Sequence, residues 1–110
     1  EKSRNYKAYV RLLATQAMKE NDFEMITGPC AIKIWAYFDV PKSKSKKFKE
    51  AALASKERPT KKPDADNRVK AMLDALNGLM YKDDSCIVEL SCVKYYSDVP
   101  RVEVYVDGYP

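Results

Sequence analysis

The sequence predicts an α+β fold, and three observations carry that expectation. Residues 3–20 and 63–78 repeat their apolar side chains at helical spacing. Residues 30–39 and 101–107 alternate with a period of two, as strands do. The 110 residues are 45% hydrophobic and 33% charged, which suits a folded chain with one modest core rather than a disordered one. No repeat or linker divides the sequence, so one domain is expected over residues 1–110. The chain opens on Glu1 and not Met, straight into a helical pattern, and residues upstream of it, an initial strand among them, are therefore expected.

The first element, SRNYKAYVRLLATQAMKE at 3–20, reads as an amphipathic helix with Ser3 as N-cap and Tyr6, Val10, Leu13 and Ala17 on its apolar face. Asn21-Asp22 ends it. A strand comes next at about 30–39, with Cys30, Ile32, Ile34, Ala36 and Phe38 on one face and Ala31, Lys33, Trp35, Tyr37 and Asp39 on the other. Residues 42–62 read as a mobile basic loop. Lys47 to Ala54 have the makings of a short helix, but Pro59 and Pro63 prevent it from continuing. PDADNRVKAMLDALNG at 63–78 is the most legible helix. Asp66 is the expected N-cap, Val69, Met72, Leu73 and Leu76 the buried stripe, and Asn77-Gly78 the stop. The turn YKDD leads into a strand, CIVELSCVKYY at 86–96, and Asp98 to Pro100 turn the chain into RVEVYVD at 101–107. Two strands joined by so short a turn are expected to pair as an antiparallel hairpin.

Composition narrows the chemistry. The chain has no histidine, which removes His-based triads, His-assisted nucleases and most zinc enzymes. Cys30, Cys86 and Cys92 are odd in number and fit no zinc spacing; reduced, buried thiols in a cytoplasmic protein are expected. No apolar run approaches the roughly 20 residues of a membrane helix, and no signal-peptide pattern opens the chain. The net charge of +4 is uneven. Residues 41–62 hold nine Lys/Arg against two acidic residues, while the remainder sums to −3. Such a segment is either a solvated loop or a phosphate-binding one, and Lys42, Lys44, Lys46, Lys47, Lys49, Lys61 and Lys62 are the candidate DNA contacts.

The chemistry-bearing cluster lies around the second helix. Asp64 and Asp66 are separated by one residue at its mouth, so in extended backbone both carboxylates face one point. Lys70 and Asp74 lie one and two turns on, beside the apolar stripe. Asp83-Asp84 stands at the entry to the next strand; adjacent residues face opposite ways, so one of the two is expected to point into the site. Converging carboxylates repel unless a cation lies among them, and oxygen-only ligands select Mg²⁺, with Mn²⁺ as substitute. Such a site suits phosphodiester hydrolysis, with Lys70 stabilising charge on the phosphate. A plainer reading stands beside it: Asp66 as an ordinary N-cap, Asp83 and Asp84 as turn residues, and Lys70 with Asp74 as a surface pair.

The segment PDADNRVKAMLDALNGLMYKDDSCIVEL, Pro63 to Leu90, resembles the signature region of the RusA family of Holliday junction resolvases. The likeness rests on D-x-D-N, a lysine four residues after the second Asp, the D-A-L-N-G helix end and the K-D-D entry to a strand. It implies a metal-dependent endonuclease that nicks four-way DNA junctions symmetrically, in recombination and repair. It further implies a homodimer whose small mixed sheet has helices packed against it, found in bacteria, phages and prophages and so acting in the cytoplasm. By this resemblance Asp64, Asp66 and Asp84 hold the metal, Lys70 is the catalytic lysine, and Asp83 occupies an acidic position of less certain role. The family usually opens with a strand and a basic stretch that this sequence lacks. Rival expectations are a non-catalytic branched-DNA-binding protein, and a flap or duplex nuclease with the same metal chemistry. Trp35, Tyr37, Tyr95 and Tyr96 are expected either to stack on unpaired bases or to serve as core or dimer-contact aromatics.

Overall fold

Three helices and three strands form the fold, in the order α1 (Lys2–Glu20), β1 (Cys30–Phe38), α2 (Lys46–Leu53), α3 (Ala65–Leu76), β2 (Ile87–Tyr96) and β3 (Arg101–Gly108), with a 3₁₀ turn at Asp84–Cys86. The structure is a computed structural model that describes residues 2–60 and 65–109, apart from the side chains of residues 2–5, 65, 66 and 68. No helix among the described residues is long and apolar enough to cross a membrane.

The sheet is mixed, in the order β2-β1-β3. β1 runs parallel to β2, with Ile32 opposite Leu90 and Phe38 opposite Tyr96. It runs antiparallel to β3, with Ile32 opposite Val106 and Tyr37 opposite Arg101. The expected hairpin of the last two strands is therefore not formed, because β1 lies between them. β1 is the strand whose inward residues are most deeply buried: Cys30, Ile32 and Ile34 are fully buried and Ala36 nearly so. A central position pairs both of its edges and covers that face, whereas a hairpin would leave it at a rim. The Ser97–Pro100 link must then cross two strand spacings, about 10 Å, which four residues span easily. Ser97 N–H bonds the Phe38 carbonyl at 2.9 Å, and Arg101 Nη1 donates to the Val99 carbonyl at 2.9 Å.

α1 and α3 cover the apolar face. Met72, Leu76 and Tyr81 join Cys30, Ile32, Ile34 and Val106 in the core, with Tyr6, Val10 and Ala14 of α1 against them. Burying a side chain such as Ile32 or Ile34 contributes roughly 2–3 kcal/mol. Polar contacts lock α1 to α3: Lys7 pairs with Asp74 at 3.2 Å, and Arg11 donates to the Ala75 and Asn77 carbonyls at 2.9 and 3.0 Å. A guanidinium on the last carbonyls of α3 satisfies acceptors that the helix leaves open and suits its dipole. Gly78, at φ 74°, stops α3 in the left-handed region, as the Asn77-Gly78 pair foretold.

Three local expectations change. α1 starts at Lys2 and α3 at Ala65, so Ser3 and Asp66 lie inside their helices rather than at the caps. The basic stretch is only partly a loop: α2 forms, with the Ser45 hydroxyl accepting from Phe48 N–H at 3.1 Å. Cys86 belongs to the 3₁₀ turn and not to the strand.

Candidate active site

α3 and the start of β2 form the two walls of an open cleft of about 540 Å³. Val69, Lys70, Leu73 and Asp74 line it from α3; Asp84, Leu90, Ser91 and Cys92 line it from the other side. Lys70 and Asp84, fourteen residues apart in sequence, thus share one cavity. Asp66 stands in α3 one helical turn before Lys70. The Asp66 side chain and the whole of Asp64, Lys61 and Lys62 lie outside the described residues. Among the described residues, no group of three His, Cys, Asp or Glu side chains is close enough to hold a metal ion.

The adjacent acidic pair splits. Asp83 caps the 3₁₀ turn, its carboxylate accepting from Ser85 N–H at 3.0 Å. The bonds from Ser85 hold the Asp83 carboxyl below the usual range. Asp84 is exposed at the cleft. Behind it sits Tyr81, fully buried, with its hydroxyl donating to the Leu73 carbonyl at 2.8 Å. Burial, and then the charge and hydrogen bonding of Asp84, push the Tyr81 phenol well above its ordinary value. The phenol therefore stays protonated and ties α3 to the turn that presents Asp84. Sequence spacing gave no sign of this link, although a tyrosine just before a polar turn is the pattern that would carry it.

Asp74 does not pair with Lys70; it bonds Lys7 of α1 instead. Lys70 is exposed and makes no hydrogen bond or ion pair with the described residues, which leaves its ammonium available to the cleft. The polar groups here are the Asp74 and Asp84 carboxylates, the Ser91 hydroxyl, the Cys92 thiol and the Lys70 ammonium, and with no histidine in the chain it is the oxygen donors that fit a hard cation. A larger cleft of about 720 Å³ lies between α1 and the sheet, but Tyr6, Val10, Leu13, Met72, Val102 and Val104 make it mostly apolar. Its size does not make it the site, since no carboxylate cluster lines it.

The basic residues stand elsewhere. Lys42, Lys44, Lys46 and Lys47 are exposed and Lys49 half-buried on and before α2. α2 packs at the far end of β2, where Phe48 meets Tyr96 edge-on at 5.8 Å. Asp84 precedes the near end. The ten residues of β2 separate the two by about 30 Å. The four aromatics also divide: Tyr96 shares the helix-covered face, while Trp35, Tyr37 and Tyr95 lie on the opposite one.

The family model described as Endodeoxyribonuclease RusA matches residues 1–107. A protein of Bacillus subtilis (strain 168), described as "Uncharacterized protein YqaN", is 50% identical over 107 residues, which cover 96% of this chain and 73% of that one. No solved structure matches the chain significantly.

Proposed function

We propose that this chain, which belongs to the RusA family of endodeoxyribonucleases, is a Mg²⁺-dependent enzyme that resolves four-way DNA junctions by paired symmetric nicks. The observation that carries the reading is the cleft in which Lys70 of α3 meets Asp84 of the β2 entry. Asp64, Asp66 and Asp84 would hold the cation, and Mn²⁺ would replace Mg²⁺. When bound, the cation supplies Lewis acidity for phosphodiester hydrolysis.

The chain's own residues do the rest. The carboxylates alone would repel a phosphate, so close approach of DNA depends on their charge being neutralised. The Lys70 ammonium, with no competing partner among the described residues, stabilises negative charge growing on the phosphate oxygens. Val69, Leu73 and Leu90 give the open cleft an apolar wall beside these groups. Lys42, Lys44, Lys46, Lys47 and Lys49 hold backbone phosphates without reading sequence, with Lys61 and Lys62 in the same segment. A homodimer would present two such sites to two-fold symmetric DNA.

The test offers purified protein a synthetic four-way junction, a flap and a plain duplex, with and without Mg²⁺. Paired nicks in the junction alone support the reading. Equal cutting of flap or duplex replaces the junction with a broader substrate, and binding without cutting under all metal conditions refutes the enzyme. Asp66→Asn should abolish nicking yet keep or tighten junction binding, because it removes a repulsive charge near the phosphate.

A further inference from the structure

The basic stretch between β1 and α3 is tied to the sheet at two places, one on each face of β2. Phe48 of α2 meets Tyr96 edge-on at 5.8 Å, on the face that α1 and α3 cover. Arg58 reaches the opposite face, which no helix covers among the described residues. Its guanidinium lies over the Tyr95 ring at 4.1 Å, and it donates to the Lys94 carbonyl at 3.0 Å. Tyr95 is backed in turn by Tyr37, stacked on it at 5.4 Å, with Arg101 over Tyr37 at 3.9 Å. β2 is an edge strand, so residues 48–58 grip its end from both sides.

Between these two ties the backbone is closed and not slack. The Ser45 hydroxyl caps the start of α2. At its end Ser55 turns left-handed, at φ 63°. Ser55 N–H bonds the Ala52 carbonyl at 3.1 Å and Lys56 N–H the Ala51 carbonyl at 2.8 Å, the double closure that ends many helices. A residue other than glycine keeps such a φ only where its surroundings over-determine it. Ala52 is fully buried. Pro59 is buried as well and keeps Arg58 in extended backbone. Ser45 to Pro59 is therefore one braced unit, and Arg58 is its tie to the helix-free face.

We propose that Arg58 is a positioning residue, which clasps the basic segment around the end of β2 and so fixes Lys46, Lys47 and Lys49 in place before they meet DNA. The proposal rests on the reading that this segment holds backbone phosphates. Lysines on a slack loop must be ordered as they bind, and the lost freedom is subtracted from the gain. Lysines on a braced helix are ordered already. The number of phosphates neutralised is the same in both cases. The clasp therefore acts on the strength of binding and not on its salt dependence, which counts charges. An arginine suits the task, since its plane stacks on a ring while its N–H groups bond a carbonyl; a lysine ammonium has no plane to stack.

The test compares Arg58→Ala and Arg58→Lys with the wild type in two measurements. Hydrogen exchange, without DNA, follows the amides of residues 46–57. Both variants should exchange there roughly 10-fold faster, as the loss of one stacked cation and one hydrogen bond implies. α1 and α3 should keep their protection, which shows that the variants fold. Fluorescence anisotropy then measures binding of a synthetic four-way junction over a range of salt, with divalent metal chelated. Both variants should bind at least ~3-fold more weakly, with an unchanged slope of log binding constant against log salt.

A slope lowered by about 1 in Arg58→Ala, with Arg58→Lys binding like wild type, would make Arg58 a phosphate contact and overturn the inference. Unchanged exchange, or faster exchange with unchanged affinity, would overturn it too. Nicking with Mg²⁺ is scored separately. A wild type that binds the junction but never nicks counts against the enzymatic reading alone. A wild type that binds no junction at any salt sinks the proposed function and the role of the clasp together.

Discussion

Replacing Tyr81 by Phe removes one hydroxyl from the middle of the molecule and nothing else. The ring fills the core at 0% exposure, and Phe keeps that volume, so no cavity forms. What is lost is chiefly the 2.8 Å bond to the Leu73 carbonyl, and with it the hydroxyl's weaker interaction with the exposed Asp84. That carbonyl also accepts from Asn77 N–H at 3.0 Å, as part of α3, so it is not orphaned. The cost should therefore be about 1 kcal/mol, the net value of one hydrogen bond, rather than the roughly 2–3 kcal/mol of a stranded polar group. For a chain of this size that lowers Tm by about 4 °C. The turn is also held by backbone bonds, Ile26 N–H to Met80 at 3.0 Å and Lys82 N–H to Ile26 at 2.9 Å. Asp84 should accordingly stay near its place, and nicking should fall less than about 10-fold. Urea unfolding and a nicking assay below the melting range measure both. A loss above about 3 kcal/mol, or no loss at all, would refute the reasoning about the hydroxyl.

The same geometry sets other outcomes. Lys70→Ala should reduce nicking by roughly 10²-fold or more while shifting stability by less than about 0.5 kcal/mol; normal cleavage would remove Lys70 from the mechanism. Replacing Lys46 and Lys47 together by Ala should reduce the slope of log binding constant against log salt by about 2, measured by fluorescence anisotropy with a junction; an unchanged slope would mean that α2 does not touch phosphate. The Asp83 carboxyl is depressed below its ordinary 3.8 by the Ser85 bonds. Its stabilisation is thus complete above that value and disappears as pH falls through the lower folded value. The difference in urea midpoint between wild type and Asp83→Asn should be flat above about pH 5 and shrink below about pH 4; a gap that widens in acid would reverse the assignment.

Elements with a strong period were legible from the sequence. The alternation of Cys30, Ile32, Ile34 and Ala36 foretold both β1 and its buried face, and the stripe from Val69 to Leu76 with Asn77-Gly78 foretold α3 and its end. The pairing of strands was not legible. Turn length between residues 96 and 101 favours a hairpin locally, but the choice of neighbour is made by the burial of β1, which comes from a segment some sixty residues earlier. The carboxylates were visible as residue types, and their neighbours were not. Nothing in D-D distinguishes a cap from a site residue until the 3₁₀ turn gives Asp83 the Ser85 amide and leaves Asp84 at the cleft. Tyr95 and Tyr96 read as one aromatic pair, yet adjacent strand residues face opposite sides, so one lies on the open face and the other against Phe48.

The separation of charge along β2 has a mechanistic consequence. A nuclease that bound and cut at one spot would couple the two: weakening its phosphate contacts would misplace the scissile bond. Within one protomer the described lysines stand about 30 Å from Asp84 along the strand, well beyond the roughly 8 Å screening length at physiological salt. Within that protomer they therefore cannot tune the electrostatics of the cleft directly. On the proposed reading their contribution would be uniform to bound and reacting DNA, so it should alter affinity and leave the cutting rate of bound DNA nearly unchanged. Asp66, Lys70 and Asp84 would stand in the opposite relation, since their charges would act where phosphate charge grows. This division would also explain how a mildly acidic body can work on a polyanion. The basic segment would supply the attraction at a distance from the carboxylates, and the acidic site would be left free to collect its cation.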